Sequence, residues 1–89
     1  MSLLSKLFGG AAPSEPDPID YEGYAITPTP ISEGRSFRLS ARIEKEVDGT
    51  SKSHTLIRAD TFEARDAATD ASIAKAKQMI DEQGDRLFD

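Results

Sequence analysis

The chain lacks cysteine and tryptophan and has a single histidine, His54. Without cysteine there can be no disulfide, no thiolate zinc ligand and no cysteine nucleophile. A Ser-His-Asp triad would have to use His54, and the sequence contains no G-x-S-x-G motif to present a nucleophilic serine. We therefore expect no enzyme activity, no catalytic or metal-binding residues and no cofactor.

Long apolar runs are also missing, and none approaches the ~20 residues that a membrane-spanning helix needs. The apolar residues near the N-terminus are too few for a secretory signal peptide with its cleavage site. Together these absences predict a cytoplasmic protein. The net charge of −5 repels phosphate at long range and argues against nonspecific nucleic-acid binding, although a local basic patch can override the net sign.

The chain is short, with 89 residues, and this length allows one domain with a thin core. At ~25 cal/mol per Å² of buried apolar surface, hydrophobic burial roughly cancels chain entropy in a domain of this size. A homodimer or another protein partner is therefore an expected source of additional stability.

Two N-terminal segments differ in composition from the rest of the chain. Residues 1–10 form a short amphipathic segment that ends in two glycines, and its apolar residues lie on one helical side. Those residues are Leu3, Leu4, Leu7 and Phe8. They are candidates for docking on a membrane surface or on a partner, and the alternative is a terminus that covers its own domain or contacts nothing. Residues 11–18 contain three prolines and predict an extended linker, so the folded domain is placed at residues 19–89.

The clearest pattern is the alternation of apolar and polar residues over residues 37–47, which is broken only by Lys45 and stops at an Asp-Gly pair. Alternation predicts a strand with one buried side, and Asp-Gly predicts a hairpin turn. The buried side comprises Phe37, Leu39, Ala41 and Ile43, and the charged side comprises Ser36, Arg38, Ser40, Arg42 and Glu44. We expect three strands, at about residues 21–27, 35–47 and 50–59, with the first interrupted by prolines.

Two registers of the hairpin are compatible with its Asp-Gly turn. A two-residue type I′ turn pairs Val47 with Thr50. A type I turn followed by a glycine bulge pairs Glu46 with Thr50 instead. The choice decides which side chains of the third strand are buried.

The type I′ register buries His54, Leu56 and Arg58, whereas the bulged register buries Thr55, Ile57 and Ala59. Burying Arg58 and His54 without partners costs several kcal/mol, on the order expected for unpaired polar groups. Exposing Leu56 costs less, so the pattern favours the bulged register.

The hydrophobic period changes after Asp60 from two to nearly four residues, which predicts one long helix. Asp60 and Glu63 resemble a capping box at its start, and Gly84 is expected to end it. The side expected to face the sheet comprises Ala68, Thr69, Ala71, Ile73, Ala76, Ile80 and Leu87. The predicted fold is α+β, a three-stranded antiparallel β-meander with one long C-terminal helix packed on one face.

The open side of this sheet is the candidate interaction face. In the bulged register it carries four basic or titratable side chains, which are Arg38, Arg42, His54 and Arg58. Like charges that face each other destabilise a sheet, so a compensating group is expected. That group is the chain's own carboxylates, a partner protein or a nucleic-acid backbone.

Three stretches resemble the short bacterial proteins of the HlyU family: ARIEKEVDG at residues 41–49, HTLIRAD at 54–60 and KAKQMIDEQGDRLF at 75–88. Residues 1–10 are also similar, so the resemblance covers nearly the whole chain. It implies a transcriptional activator, with DNA as an implied partner.

A helix-turn-helix needs two helices, whereas the pattern predicts one long helix with an acidic first half. The residues therefore favour a regulator or adaptor that acts through macromolecular contacts. The alternative is a dimerising protein-interaction module without direct nucleic-acid binding.

Overall fold

The structure is a computed structural model that describes residues 17–89, so the predictions for residues 1–16, including the docking segment of Leu3, Leu4, Leu7 and Phe8, lie outside the described residues. Its elements are β1 (Ile19–Tyr21), β2 (Tyr24–Pro28), β3 (Ile31–Glu33), β4 (Ser36–Val47), β5 (Thr50–Phe62), α1 (Arg65–Gln83) and a 3₁₀ helix (Gly84–Phe88). All pairing is antiparallel: β1 pairs with β2, and β4 pairs with β2 and β3 along one edge and with β5 along the other. The α+β class is confirmed, but the sheet has five strands instead of three.

The predicted strand at residues 21–27 is divided by a tight turn. Glu22 and Gly23 both have positive φ, 55° and 87°, and they separate β1 from β2. The prolines interrupt the strand as predicted, because β2 ends at Pro28 and β3 begins directly after Pro30. As a result, β2 and β3 occupy successive stretches of the same edge of β4.

The β4–β5 hairpin has the two-residue turn, so the bulged register favoured from the sequence is wrong. Asp48 and Gly49 have φ values of 53° and 78°, and Val47 pairs with Thr50. Positive φ at both central residues defines a type I′ turn, whose twist matches the twist of the flanking strands. This register places Leu56 on the buried side of the sheet, where it is 3% exposed.

A bulge does occur in β5, but near its far end. The pairing shifts between Arg38 and Ser40, so that residues 58–60 lie opposite a single residue of β4. The extra residues leave Arg58 exposed while Leu56 stays buried. The sequence argument against the type I′ register was the cost of burying Arg58 and His54. The bulge removes the cost for Arg58, whereas His54 stays half-buried on the side that faces α1.

The helix begins later than predicted, at Arg65, and the predicted cap at Asp60 is wrong. The strand continues through Phe62, whose ring packs against the core. Burying part of this ring favours the longer strand over a helix that starts at residue 61. Ala64 is the residue before the helix and makes no side-chain cap, whereas Gly84 ends the helix as predicted, with φ of 56°.

The core lies between α1 and one face of the sheet. Its buried hydrophobic residues are Tyr24, Ile26, Leu39, Ala41, Ile43, Leu56, Ala68, Ala76, Ile80 and Leu87. The buried residues of α1 itself are spaced by four, at Ala68, Ser72, Ala76 and Ile80, and this spacing keeps them on one side of the helix. The sequence pattern found three of these four and missed Ser72.

Ser72 connects α1 to the sheet near the gap between β2 and β3. It is fully buried. Its hydroxyl donates to the carbonyl oxygen of Ala68 at 2.6 Å and accepts from the backbone N–H of Ser40 at 3.1 Å. The hydroxyl therefore satisfies a β4 amide at the point where the neighbouring strand is interrupted.

We expect Ser72→Ala to lower the free energy of unfolding by about 1–3 kcal/mol, because the buried N–H of Ser40 loses its acceptor. Urea unfolding followed by circular dichroism measures this loss. Ser51→Ala, at an exposed position of β5, is the matched control and should change stability by less than about 0.5 kcal/mol. Equal stability of the two variants would contradict the role assigned to Ser72.

Candidate interaction surface

The open face is the sheet face directed away from α1. Residues that pair directly in an antiparallel sheet share a face, and successive residues of a strand alternate between faces. The register therefore gives the open face the paired positions Ile31 with Arg38, Glu33 with Ser36, Ser40 with Ile57, Arg42 with Thr55, and Glu44 with Ser53.

Arg38 is held firmly on the open face by two partners. Its Nε and Nη2 donate to the two carboxylate oxygens of Glu33 at 2.6 and 2.9 Å, and its Nη1 donates to the carbonyl oxygen of Arg58 at 3.2 Å. Two parallel bonds between guanidinium and carboxylate fix orientation as well as charge. These bonds lower the pKa of the Glu33 carboxyl and raise the pKa of Arg38. The chain itself thus neutralises this arginine.

Arg42 lies in the middle of the open face, beside a carboxylate of its own strand. Its Nε is 3.4 Å from Oε1 of Glu44. Thr27 of β2 pairs with Arg42 and is only 1% exposed, and its hydroxyl has no hydrogen-bond partner among the described residues. The centre of the open face is thus more enclosed than its rim.

The four residues predicted to share the open face do not all lie there. Arg38 and Arg42 do, but His54 pairs with Ile43 and so lies half-buried on the side that faces α1. Arg58 lies in the bulge of β5 and contributes its backbone carbonyl to the contact with Arg38. The predicted grouping was wrong because it depended on the bulged register. The binding role of these residues stays a prediction.

Two large hydrophobic side chains among the described residues are exposed, and both lie on the open face. Ile31 is 37% exposed and Ile57 is 56% exposed. They belong to the two strands on either side of β4, with Arg38 between those strands. The sequence analysis had left Ile31 between the first two predicted strands, and the bulged register had placed Ile57 in the core. The type I′ alternative was the one signal that could have revealed Ile57.

A shallow depression of about 350 Å³ lies at the other end of the open face. Its lining residues are Gly23, Ala25, Ser51, the three acidic residues Asp20, Glu44 and Glu46, and one cation, Lys45, so the lining is acidic on balance. Within residues 17–89 no group of histidines and carboxylates is arranged to hold a metal ion. The acidic lining disfavours phosphate groups and other anions.

A polar cluster on the opposite face fastens the 3₁₀ helix to the sheet. Asp85 Oδ1 accepts hydrogen bonds from the hydroxyl of Tyr24 at 2.5 Å and from Nζ of Lys45 at 2.9 Å. Nζ of Lys45 also lies 4.5 Å from the centre of the Tyr24 ring. The bond from Tyr24, followed by that from Lys45, lowers the pKa of Asp85, and the same carboxylate raises the pKa of Tyr24.

This cluster predicts a pH dependence of stability. Because the pKa of Asp85 is lower in the folded state, its contribution is present above the ordinary aspartate pKa of about 4 and is lost as the pH falls through the lowered value. We expect wild type to be more stable than Asp85→Asn near neutral pH, and the difference to shrink as the solution is acidified. Urea midpoints of both proteins from pH 7 to pH 2 measure it. A pH-independent difference would contradict the role of the ionised carboxylate.

No helix among the described residues is long and apolar enough to cross a bilayer. The family model described as "Transcriptional activator HlyU" matches residues 2–88. No curated protein and no solved structure matches the chain.

Proposed function

The chain belongs to the HlyU family, described as transcriptional activators, and we propose that it acts in the cytoplasm as an adaptor that binds a regulatory protein through the open face. In this proposal the chain influences transcription without reading DNA itself. The family description names a transcriptional activator and no enzyme activity.

The observation that carries the proposal is the pair of exposed isoleucines beside a fixed arginine. Ile31 and Ile57 offer apolar surface, and Arg38 is already oriented by Glu33, so little side-chain entropy is lost when a partner binds. Apolar side chains together with arginine are typical of the centre of protein interfaces. Phosphate recognition requires cationic groups that are free to pair with anions.

The charge distribution of the open face favours a protein over DNA. Arg38 and Arg42 each lie against a carboxylate of the same chain, at 2.6 and 3.4 Å. The neighbouring depression is acidic. The described residues contain one α-helix, whereas a helix-turn-helix requires a second helix to position the first on the duplex.

A titration of the purified protein with duplex DNA tests the proposal. At low salt, where attraction to phosphate is strongest, we expect no association in the micromolar range by fluorescence anisotropy. The control is the triple variant Arg38→Ala, Arg42→Ala and Arg58→Ala. Tight, salt-sensitive binding by wild type that the triple variant loses would overturn the adaptor mode and assign DNA binding to these arginines.

A complementation experiment tests the open face in the cell. RNA sequencing compares a strain that lacks the gene with the same strain carrying wild type or Ile31→Asp. We expect Ile31→Asp to fold, because the position is on the rim, but to fail to restore the wild-type transcript levels. Ala74→Asp adds the same charge to an exposed position of α1 and should restore them. Full restoration of the transcript levels by Ile31→Asp would show that the open face is not the surface that binds the regulatory protein.

A further inference from the structure

The outer edge of β5 is the longest unpaired strand edge among the described residues. This strand spans Thr50–Phe62 and within residues 17–89 pairs with β4 alone, and most of its residues are exposed. An unpaired edge presents a row of backbone donors and acceptors to any strand that approaches it. Most proteins protect such an edge.

The register identifies the backbone groups that point outward from β5. In a two-residue hairpin the residues that flank the turn form a hydrogen-bonded pair, so the N–H and C=O groups of Thr50 point toward β4. Alternation then directs the groups of Ser51, Ser53, Thr55 and Ile57 outward. The hydrogen bond from the N–H of Thr29 to the carbonyl of Ser40 agrees with this assignment. It shows that the backbone groups of Ser40 point away from β5, and because Ser40 pairs with Ile57, the backbone groups of Ile57 point away from β4.

The features that usually block edge pairing are scarce in this stretch. Residues 50–57 contain no proline and no acidic residue, and Lys52 is their one lysine. The bulge of β5 begins only after Ile57, so the edge before it is regular. An eight-residue stretch exceeds the usual strand length of about 5–6 residues.

We propose that a second copy of this chain pairs antiparallel with the β5 edge, so that two sheets join into one across a two-fold axis at His54. This inference does not rest on the proposed function. In this register Ser51 pairs with Ile57 of the second copy, and Ser53 pairs with Thr55. Every outward peptide group between residues 51 and 57 then has a partner.

Other symmetric registers leave part of the edge unpaired. Moving the two-fold axis toward the C-terminus brings the bulge at residues 58–60 into the ladder, and moving it toward the turn leaves the groups of Ile57 in water. In the His54 register Lys52 lies across from Leu56 of the second copy, so no two lysines face each other. The exposed side chain of Ile57 then lies beside Ser51 of the second copy and loses part of its contact with water.

The chain has no native cysteine, so a single introduced cysteine reports contact between two copies without interference. The two His54 positions form a non-hydrogen-bonded pair with Cα atoms about 4.5 Å apart, within the range that a disulfide accepts. We expect His54→Cys to form a disulfide dimer nearly completely under mild oxidation. The Cα atoms of the two Ser53 residues lie roughly 8 Å apart in this register, beyond disulfide reach, so Ser53→Cys should form little disulfide dimer. Because Ser53 pairs directly with Thr55 of the second copy in this register, a mixture of the Ser53→Cys and Thr55→Cys variants should form the disulfide between them.

Sedimentation of the full chain provides an independent test. We expect wild type to form a dimer at micromolar concentration and Ser53→Pro to be monomeric. Proline at this outward-facing position blocks the new ladder without removing a bond to β4. Ser53→Ala is the control and should remain dimeric, and circular dichroism reports whether each variant is folded.

Three outcomes would overturn the proposal. In the first, wild type is a monomer and His54→Cys cross-links no better than Ser53→Cys. The β5 edge would then be a binding site for a strand of another protein instead of a second copy. Another is a folded Ser53→Pro variant that stays dimeric, which would place the dimer contact elsewhere. If Ser53→Pro fails to fold, the cysteine series decides alone, and preferential cross-linking at position 53 would indicate a different register.

Discussion

Ile43→Asp is expected to unfold the domain. Ile43 is fully buried at the centre of the sheet, paired with Ile26 on β2 and with His54 on β5. The substitution removes about 1.5–3 kcal/mol of side-chain burial and leaves a carboxylate without a partner, which costs several kcal/mol more. At roughly 0.05–0.15 kcal/mol per residue, a domain of this size has a total stability on the order of 5 kcal/mol.

Thr55→Asp is the matched control for this substitution. Thr55 is exposed on the open face across from Arg42, so the same carboxylate lies in water beside a cation. Far-ultraviolet circular dichroism and thermal melting should show a folded control and an unfolded Ile43→Asp. The prediction fails if both variants melt cooperatively at similar temperatures, because Ile43 would then lie outside the core.

The second large effect is the contrast between Leu56→Asp and Ile57→Asp. These neighbouring residues differ sharply in burial, with Leu56 3% exposed and Ile57 56% exposed. We expect Leu56→Asp to lose most or all of the folding free energy, by the same mechanism as Ile43→Asp. Ile57→Asp should change stability by about 1 kcal/mol or less, because its side chain is already largely hydrated.

This pair of variants decides the hairpin register. The type I′ turn and the bulged turn exchange the faces of Leu56 and Ile57, since a shift of one residue moves every side chain of a strand to the other face. Equilibrium urea unfolding of the two variants, each compared with wild type, is the measurement. An unfolded Ile57→Asp together with a stable Leu56→Asp would establish the bulged register.

The two proposed surfaces are compatible with each other. A two-fold axis perpendicular to the sheet places both open faces on the same side of the joined sheet, because paired His54 positions share a face. Two copies of the Ile31 and Arg38 surface would then face the same direction. A symmetric partner would engage both copies at once and gain affinity through the raised effective concentration of the second site.

The candidate site was only partly predictable from the sequence. The alternation along β4 correctly placed Arg38 and Arg42 away from the core. The sequence did not reveal that Arg38 is bound to Glu33, because that contact depends on β3 returning to the sheet after Pro30. Nor did it reveal the exposure of Ile57, because that follows from the hairpin register.

The sequence by itself determined the local features. The alternation from residue 37 to 47, the proline interruption and the glycine at the end of α1 each follow from backbone chemistry that acts within a few residues. Only the tertiary structure decided the register and the start of the helix. The type I′ turn is favourable because a bulge ten residues away keeps Arg58 in water, and β5 continues to Phe62 because a core is present to receive its ring. Both effects depend on contacts between residues that are distant in the chain, and a local sequence pattern cannot predict such contacts.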